Sequence, residues 1–316
     1  MSVPTAPAGV TDGSTPATVR FVKGHGTRND FVMLFDEHGA LDLTAELVRA
    51  LADRRSGIGA DGVIRAVRAG SLTAGEGVDP QLWFMDYWNA DGTTSEMCGN
   101  GARVFGAFLE REAGLDLSGG LTFATRGGER TVTALGKGRY AVGMGTWRIA
   151  AAVDGADAVV TVGTVGPDSA LTDPVVGRWL TRPGLSVDVG NPHTVVALAS
   201  QDELAALDLS RAPRVEPVPP AGSNVEFAVV LGEGGADGQR RGVVAMRVHE
   251  RGSGETESCG TGAVATALAV RAWAGPGAPD VWDVRVPGGE VTVRIDADRA
   301  VLEGPAVLVA EGVFGL

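Results

Sequence analysis

The 316-residue chain contains two cysteines, and both lie in nearly the same short motif. Cys98 stands in MCGNGA and Cys259 in SCGTGA, and an apolar stretch typical of a helix follows each. A thiol at the start of a helix lies beside free N–H groups and the positive end of the helix dipole. That position is expected to lower its pKa, and the same N–H groups can hold a carboxylate. Two such thiols on opposite faces of one carbon could remove a proton from one face and return a proton to the other.

Other interpretations of the two cysteine loops are open at this point. The cysteines could be small buried apolar residues, could form a structural disulfide, or could belong to glycine-rich phosphate-binding loops. Neither loop has the Gly-Lys-Ser/Thr ending of a P-loop or the GxGxxG of a dinucleotide fold. The four histidines show no metal-ligand spacing with the cysteines, so no metal site is expected.

The chain carries an internal duplication around the cysteines. Asn89 stands nine residues before Cys98, and Glu250 stands nine residues before Cys259. The period is about half the chain, which indicates two similar domains and not a solenoid. If the two domains form a pseudo-twofold pair, the cysteine loops face each other at a domain interface, where clefts for small molecules tend to form.

Hydrophobic periodicity predicts an α/β (α+β) protein in which short strands surround a helix after each cysteine. We expect these two helices over about 101–113 and from Cys259 to about 273. A further helix is predicted over 41–55, with Thr44 as its cap, and another over the segment QDELAALDL (201–209). A Gly-rich loop is expected over 232–240.

Composition restricts the partners and the compartment. The net charge of −12 argues against nucleic acid and anionic membrane surfaces as partners. No apolar run approaches the roughly 20 residues that span a bilayer. Residues 1–18 are rich in Pro, Ser, Thr, Gly and Ala and are expected to form a flexible tail, not a signal peptide. We therefore expect a cytoplasmic protein with reduced thiols.

The ordered motifs of the chain resemble those of the diaminopimelate epimerase family of cofactor-independent amino-acid epimerases. They are KGHGTRNDF, RRSGIGADG, NADG followed by MCGNGAR, GNPH, SNVEF and ERGSGETESCGTGA. The resemblance implies two structurally similar domains, each a mostly antiparallel sheet wrapped around a central helix and related by pseudo-twofold symmetry. It places the end of the chain in the first domain, so the expected domains are 19–145 with 305–316, and 146–304.

The resemblance also implies an activity and its residues. The expected reaction interconverts LL- and meso-2,6-diaminopimelate, in lysine and peptidoglycan precursor synthesis, by a homodimer that needs no cofactor. Cys98 and Cys259 are the expected acid and base, and His193 and Glu250 are expected to tune the protonation of the thiols. The expected substrate contacts are Asn29, Asn89, Gly99, Asn100, Asn191, Asn224, Glu250, Arg251, Gly260 and Thr261.

One position departs from the family pattern. Many members carry glutamine after the Asp of the GIGxD loop, where it contacts substrate, but this chain has Gly62. That contact is expected to be lost or replaced by backbone or water.

Two other functions stay open at the level of sequence. One is an epimerase or racemase of another amino acid on the same scaffold. The other is a protein that binds amino acids without catalysis. The adjacent Glu250 and Arg251 favour diaminopimelate, because they could hold a second amino-acid end that a small monocarboxylate lacks.

Overall fold

The structure is a computed structural model that describes residues 18–165, 178–234 and 240–315. The predicted tail lies outside these residues except for Thr18, which opens the first strand. The predicted loop over 232–240 lies outside them at 235–239, and residues 232–234 are strand and not loop. Within the described residues the fold is a mixed α+β fold, mostly sheet with few helices, as predicted.

Residues 18–146, called the first half here, contain the strands and helices that surround Cys98. Their bounds are β1 Thr18–Gly26, β2 Asn29–Phe35, α1 Ala45–Ala52, β3 Gly62–Arg68, β4 Trp83–Asn89, α2 Gly99–Glu112, β5 Leu121–Thr125, β6 Gly128–Gly136 and β7 Arg139–Thr146, with short 3₁₀ turns at Ala69–Ser71 and Thr73–Gly75.

Residues 148–305, called the second half, surround Cys259. Their elements are β8 Arg148–Ile149, β9 Ala158–Thr164, β10 Arg178–Asp188, β11 Pro192–Ala197, α3 Gln201–Ala205, β12 Leu207–Asp208, β13 Arg214–Glu216, β14 Asn224–Gly234, β15 Arg241–Glu250, β16 Gly254–Thr256, α4 Gly260–Ala274, β17 Val281–Val286, β18 Gly289–Asp296 and β19 Arg299–Pro305. The last strand is β20, Val307–Gly315.

The two halves repeat one order of strand pairing. In the first half the successive pairs β1–β2, β2–β3, β3–β4, β4–β5, β5–β6 and β6–β7 are antiparallel, parallel, antiparallel, parallel, antiparallel and antiparallel. In the second half β10–β11, β11–β14, β14–β15, β15–β17, β17–β18 and β18–β19 follow the same order. The duplication around the cysteines therefore extends to the whole ladder of each half.

Helices α2 and α4 are the central elements of the two halves. Every residue of α2 from Gly99 to Leu109 is buried, and α4 is buried at nearly every position from Gly260 to Val270. Helix α2 contacts β1, β2, β6, β7 and β20, and α4 contacts β10, β11, β14 and β18. A helix that is buried on all sides belongs in a core, and here each is enclosed by its own sheet.

The halves are joined by the sheet itself. Strand β7 of the first half pairs antiparallel with β19 of the second half. Strand β20 then returns to the first half and pairs antiparallel with β1. Because of these two pairings, the position of one cysteine loop relative to the other is fixed by continuous backbone hydrogen bonding.

Two of the helix predictions have clear outcomes. Thr44 caps α1 as predicted, since its hydroxyl accepts from the N–H of Leu47 at 3.2 Å. The predicted helix over 201–209 is wrong in its second part, where residues 207 and 208 form a strand against β9. There Arg247 donates to the carbonyls of Leu204 and Leu207, so these oxygens are satisfied without a continuing helix.

Candidate active site

Both cysteines occupy the N-cap position of a central helix. The backbone N–H of Gly101 donates to Sγ of Cys98 at 3.4 Å, and the N–H of Gly262 donates to Sγ of Cys259 at 3.3 Å. Each sulfur therefore takes the place that a Ser or Asp oxygen holds in an ordinary cap. Both thiols are free, and Cys259 is the more deeply buried of the two.

The starts of the two helices lie against each other. A Cβ atom on Gly99 would lie 2.9 Å from Cδ2 of Leu302, and one on Gly260 would lie 3.0 Å from the same atom. Asn100 also reaches across, since its Nδ2 donates to the carbonyl of Ser258 at 3.1 Å. Only glycine permits both backbones to approach one leucine methyl group so closely. The duplicated loops thus meet at a single point between the halves.

An amide of fixed orientation faces the first thiol. Nδ2 of Asn29 donates to Asp61 at 2.8 Å, and Asp61 is held in turn by Arg54 at 2.7 Å. Oδ1 of Asn29 consequently points the other way, where it accepts from Asn100 at 3.2 Å and lies 3.7 Å from Sγ of Cys98. A carbonyl oxygen aimed at a thiol favours its protonated, donating form.

A carboxylate faces the second thiol. Glu250 accepts a hydrogen bond from the hydroxyl of Thr256, and its carboxyl is close enough to Cys259 for each group to shift the pKa of the other. Burial raises the pKa of Glu250. On its other side, Sγ of Cys259 lies 3.5 Å from the hydroxyl of Thr261. Glu250 is therefore placed to exchange a proton with Cys259.

A buried histidine–carboxylate pair lies beneath the second thiol loop. Nδ1 of His193 lies 2.7 Å from Oε1 of Glu226, and both side chains are fully buried. Nε2 of His193 lies 3.0 Å from Oδ1 of Asn191, whose Nδ2 donates to Thr261 at 3.3 Å. Both ring nitrogens are thus committed to oxygens, so His193 acts on the thiol loop through Asn191 and Thr261 and not by direct contact.

The three remaining polar residues predicted to bind substrate lie at strand ends, Asn224 opening β14, Asn89 ending β4 and Arg251 following β15. Asn224 accepts from the backbone N–H of Arg251 at 2.9 Å. The guanidinium of Arg251 is exposed and donates to the carbonyl of Ala221. Asn89 donates to the hydroxyl of Thr93 at 3.0 Å. Arg251 is the one positively charged side chain among the predicted substrate contacts, and its guanidinium remains accessible to a carboxylate.

A cavity of about 430 Å³ opens beside this end of the site. Asn191, His193, Ala221 and Ser223 are among the residues that line it, and neither cysteine does. The cavity therefore adjoins Ala221, whose carbonyl accepts from Arg251, and Asn191, and it does not reach the sulfur atoms.

The expectation that the helix starts lower the thiol pKa values is wrong for this structure. Desolvation by burial raises the pKa of Cys98 to about 11, and the N–H of Gly101 offsets only part of that rise. Burial raises the pKa of Cys259 well above its ordinary value, and the nearby Glu250 carboxylate adds to the rise. Loss of water around each sulfur outweighs the helix N-terminus, so both thiols are protonated at neutral pH.

Arg103 is a supporting residue that the sequence analysis missed. It is fully buried one turn into α2, and it donates to Oδ1 of Asn100 at 2.9 Å and to the carbonyl of Gly99 at 3.3 Å. It also reaches Thr27 and the carbonyl of Pro305. The cation thereby fixes the first cysteine loop from below. An arginine two positions after GNG, at the start of the apolar run of the helix, was the available signal.

The space beside Gly62 is filled by an aromatic ring. A Cβ atom on Gly62 would lie 2.6 Å from Cε2 of Tyr87. The position at which the family pattern predicts glutamine therefore holds the ring of Tyr87, which the sequence analysis did not assign to the site.

Over residues 18–165, 178–234 and 240–315, no three His, Cys, Asp or Glu side chains come together as a metal site. The helices in the same part of the chain are too short or too polar to cross a membrane.

Comparison with solved structures shows the same fold in proteins of low sequence identity. A phenazine biosynthesis protein of the PhzF family from Bacillus anthracis superposes with a TM-score of 0.62 at 14% identity, covering 95% of this chain and 99% of that one. A hydroxyproline epimerase from Agrobacterium vitis superposes with a TM-score of 0.56 at 13% identity, covering 95% and 93%. These likenesses define the class by fold alone, as an α+β fold built of two similar halves.

Sequence comparison narrows the class to one family. A family model described as Diaminopimelate epimerase matches residues 21–150 and 185–309. The chain belongs to the diaminopimelate epimerase family. It is 46% identical to the diaminopimelate epimerase of Thermobifida fusca (strain YX), covering 93% of this chain and 97% of that one. It is 43% identical to that of Streptomyces coelicolor, covering 94% and 95%.

Proposed function

We propose that this protein epimerises 2,6-diaminopimelate, interconverting the LL and meso isomers for lysine and peptidoglycan precursor synthesis. The observation that carries the proposal is the meeting of two cysteine-capped helix starts between duplicated halves. Relatives named diaminopimelate epimerase that align over nearly their whole length support the choice of substrate.

The reacting carboxylate binds where the two helices begin. Backbone N–H groups of Gly99, Asn100, Gly260 and Thr261 surround this point, and both helix dipoles present their positive ends to it. The side chain of Asn100 is already engaged with Ser258, so its contribution to the substrate is its backbone N–H. Binding the carboxylate here places the α-carbon between the two sulfur atoms.

The two thiols then have different roles in proton transfer, Cys259 as the base and Cys98 as the acid. Glu250 takes the proton of Cys259, and the resulting thiolate removes the α-proton from one face. Cys98, protonated and facing the carbonyl oxygen of Asn29, gives its proton to the opposite face. The positive α-ammonium of the substrate favours the thiolate within the site. In the reverse direction the two thiols exchange roles.

The non-reacting amino-acid end is held by the strands next to the loops. Arg251 offers a forked pair of donors to its carboxylate. Asn89, Asn191 and Asn224 each offer a donor and an acceptor, which suits a zwitterion. This second set of contacts distinguishes diaminopimelate from amino acids with a single carboxylate.

Three finer points belong to the same proposal. The reaction takes place without a bound cofactor in a cytoplasmic enzyme. The halves form the domains 19–145 with 305–316, and 146–304. The enzyme is a homodimer, and the outward-facing Val307, Val309 and Val313 on β20, a strand whose described pairing is to β1 alone, offer an apolar edge for the second subunit.

Proton NMR in deuterated water tests the function directly. Reduced protein is mixed with LL-diaminopimelate and no cofactor, and loss of the α-proton signal with appearance of the meso isomer is expected. Cys98→Ala and Cys259→Ala each remove one acid–base group and should lower the rate by at least roughly 100- to 10,000-fold. Circular dichroism of both variants serves as the folding control.

Two results would contradict the proposal. Full activity in either cysteine variant would exclude the two-thiol mechanism. Faster turnover of proline than of diaminopimelate would move the assignment to another amino acid on the same scaffold.

A further inference from the structure

The ring of Tyr87 lies against the backbone of Gly62, the first residue of strand β3. Gly62 has no side chain, and the carbonyl of Trp88 would be 2.5 Å from any Cβ atom placed there. Tyr87 stands directly opposite Ile64 on the neighbouring strand, and its ring leans over the glycine. The ring also makes an edge-to-face contact with Phe31, with centroids 5.8 Å apart and planes at 80°. The side chain is thus packed between the backbone of Gly62 and the ring of Phe31.

The hydroxyl of Tyr87 is left without a protein partner. It makes no hydrogen bond to any described residue. The hydroxyl oxygen is nevertheless not sealed from solvent. The residue as a whole is 8% exposed. A buried ring whose polar end alone reaches open space presents that end to whatever fills the space.

Packing places Tyr87 beside the first cysteine loop. Cζ of Phe31, the ring that Tyr87 contacts, lies 3.5 Å from where a Cβ atom of Gly101 would be, and the N–H of Gly101 donates to Sγ of Cys98. Burial, followed by the nearby Cys98 and Glu250, raises the pKa of Tyr87 well above its ordinary value, so the phenol remains neutral. A neutral hydroxyl both donates and accepts, which suits the carboxylate and ammonium of an amino acid. Its packing against this loop puts Tyr87 at the reacting end of the substrate.

We propose that Tyr87 is a substrate-binding residue whose ring takes the space beside Gly62 and whose hydroxyl contacts the reacting amino-acid end. This inference rests on the proposed epimerase function and adds a contact that the sequence analysis expected to be lost or taken over by backbone or water. Only the first half has a tyrosine at this strand position. The corresponding residue of the second half is Val248, which pairs with Glu226 as Tyr87 pairs with Ile64.

Replacing the hydroxyl alone separates binding from packing. Tyr87→Phe keeps the ring over Gly62, so a purely structural role predicts unchanged kinetics. We expect KM for LL-diaminopimelate to rise roughly 10- to 100-fold with kcat little changed, the loss typical of one hydrogen bond to a charged group. The chain has one other tyrosine, Tyr140, whose hydroxyl bonds Glu110. Tyr140→Phe is the matched control and should leave KM unchanged.

A spectroscopic measurement on the unaltered protein tests the same contact. Protein labelled with ¹³C at tyrosine Cζ gives two signals, and Tyr140→Phe assigns them. Saturating diaminopimelate should shift the Tyr87 signal and leave the Tyr140 signal in place.

The outcomes distinguish the two proposals. A wild-type protein without turnover contradicts the proposed function. Turnover with equal KM in wild type and Tyr87→Phe, or a Tyr87 signal unmoved by saturating substrate, overturns the role of Tyr87 and leaves the epimerase function intact.

Discussion

The two thiols stand in chemically different surroundings although the halves share one fold. Ile64 of the first half ends 2.8 Å from where a Cβ of Gly101 would lie, and Glu226 ends 2.7 Å from the corresponding point at Gly262. The strand registers pair Phe31 with Gly62 and His193 with Asn224. An apolar Phe–Ile pair in one half thus corresponds to the buried His193–Glu226 pair in the other. The second half therefore has a buried imidazole and carboxylate where the first half has hydrocarbon.

Glu226→Ile tests the role of this pair. The variant places the first half's side chain in the second half and leaves Nδ1 of His193 buried without a partner. We expect the free energy of unfolding to fall by roughly 1–3 kcal/mol. Epimerisation should slow as well, because the His193 ring that positions Asn191 and Thr261 loses the carboxylate that holds it. Urea unfolding and the deuterium-exchange assay measure the two effects.

The double variant His193→Phe with Glu226→Ile supplies the control. It rebuilds the apolar pair of the first half and should regain part of the lost stability without regaining activity. A single Glu226→Ile variant as stable and as active as wild type would show that the buried pair has neither role.

At the scale of single residues, the sequence could not show how deeply each side chain is buried or which groups it contacts. The cysteines, asparagines, Glu250 and Arg251 could be named because motifs surround them. Glu226 lies within the SNVEF motif, but like Tyr87 it stands in a strand, where alternation predicts only a side chain facing inward. Even for Cys98 and Cys259 the direction of the pKa shift depended on how much water the folded site excludes, and no local pattern contains that quantity.

At the scale of elements, β19 positions both central helices. Its Leu302 is fully buried and meets the starts of α2 and α4 through Gly99 and Gly260. The same strand carries the pairing to β7 that joins the halves. The distance between the two sulfur atoms therefore depends on one side chain as well as on the sheet.

Leu302→Ala should reduce both stability and catalysis. Truncating a fully buried leucine costs about 2–5 kcal/mol, and the cavity left here lies between the helix starts. Since a shift of about 1 Å in reacting groups can lower rates roughly 100-fold, kcat should fall by about 10- to 100-fold. Thermal unfolding and kcat are the measurements.

Leu209→Ala is the matched control for that prediction. Leu209 is 1% exposed and belongs to a separate apolar cluster of the second half. It should lose comparable stability while kcat stays near the wild-type value. Equal kcat losses in the two variants would mean that general loosening, and not the position of Leu302, lowers activity.

Local patterns predicted the strands and the two central helices well, because alternation and the Cys-Gly-x-Gly starts are short-range signals. They did not predict that Leu207 and Asp208 leave the helix to pair with β9. They also could not show β7 pairing with β19, since that ladder joins residues about 160 positions apart and depends on how two completed halves meet.

At the scale of the molecule, the halves also meet through a tight turn beside the site. Thr27 and Arg28 connect β1 and β2 with positive φ angles of 51° and 64°. The hydroxyl of Thr27 is buried and lies 2.7 Å from that of Ser258, next to the second cysteine. On the other side, the carbonyl of Thr27 presses against Gly288. This turn of the first half is therefore enclosed by the second.

Gly288→Ala should push the two halves apart. The added Cβ would lie 2.0 Å from the carbonyl oxygen of Thr27 and 3.1 Å from that of Glu257, and neither backbone atom can move alone. We expect a loss of roughly 1–3 kcal/mol in stability. A larger proportional loss of kcat/KM should accompany it, because the cysteine loops separate with the halves. Gly119→Ala, at a glycine with open space around it, should change neither quantity. If Gly288→Ala lowered the unfolding temperature but left kcat/KM at the wild-type value, catalysis would not depend on this contact between the halves. The spacing of the thiols would then be set by β19 and the β7–β19 ladder alone.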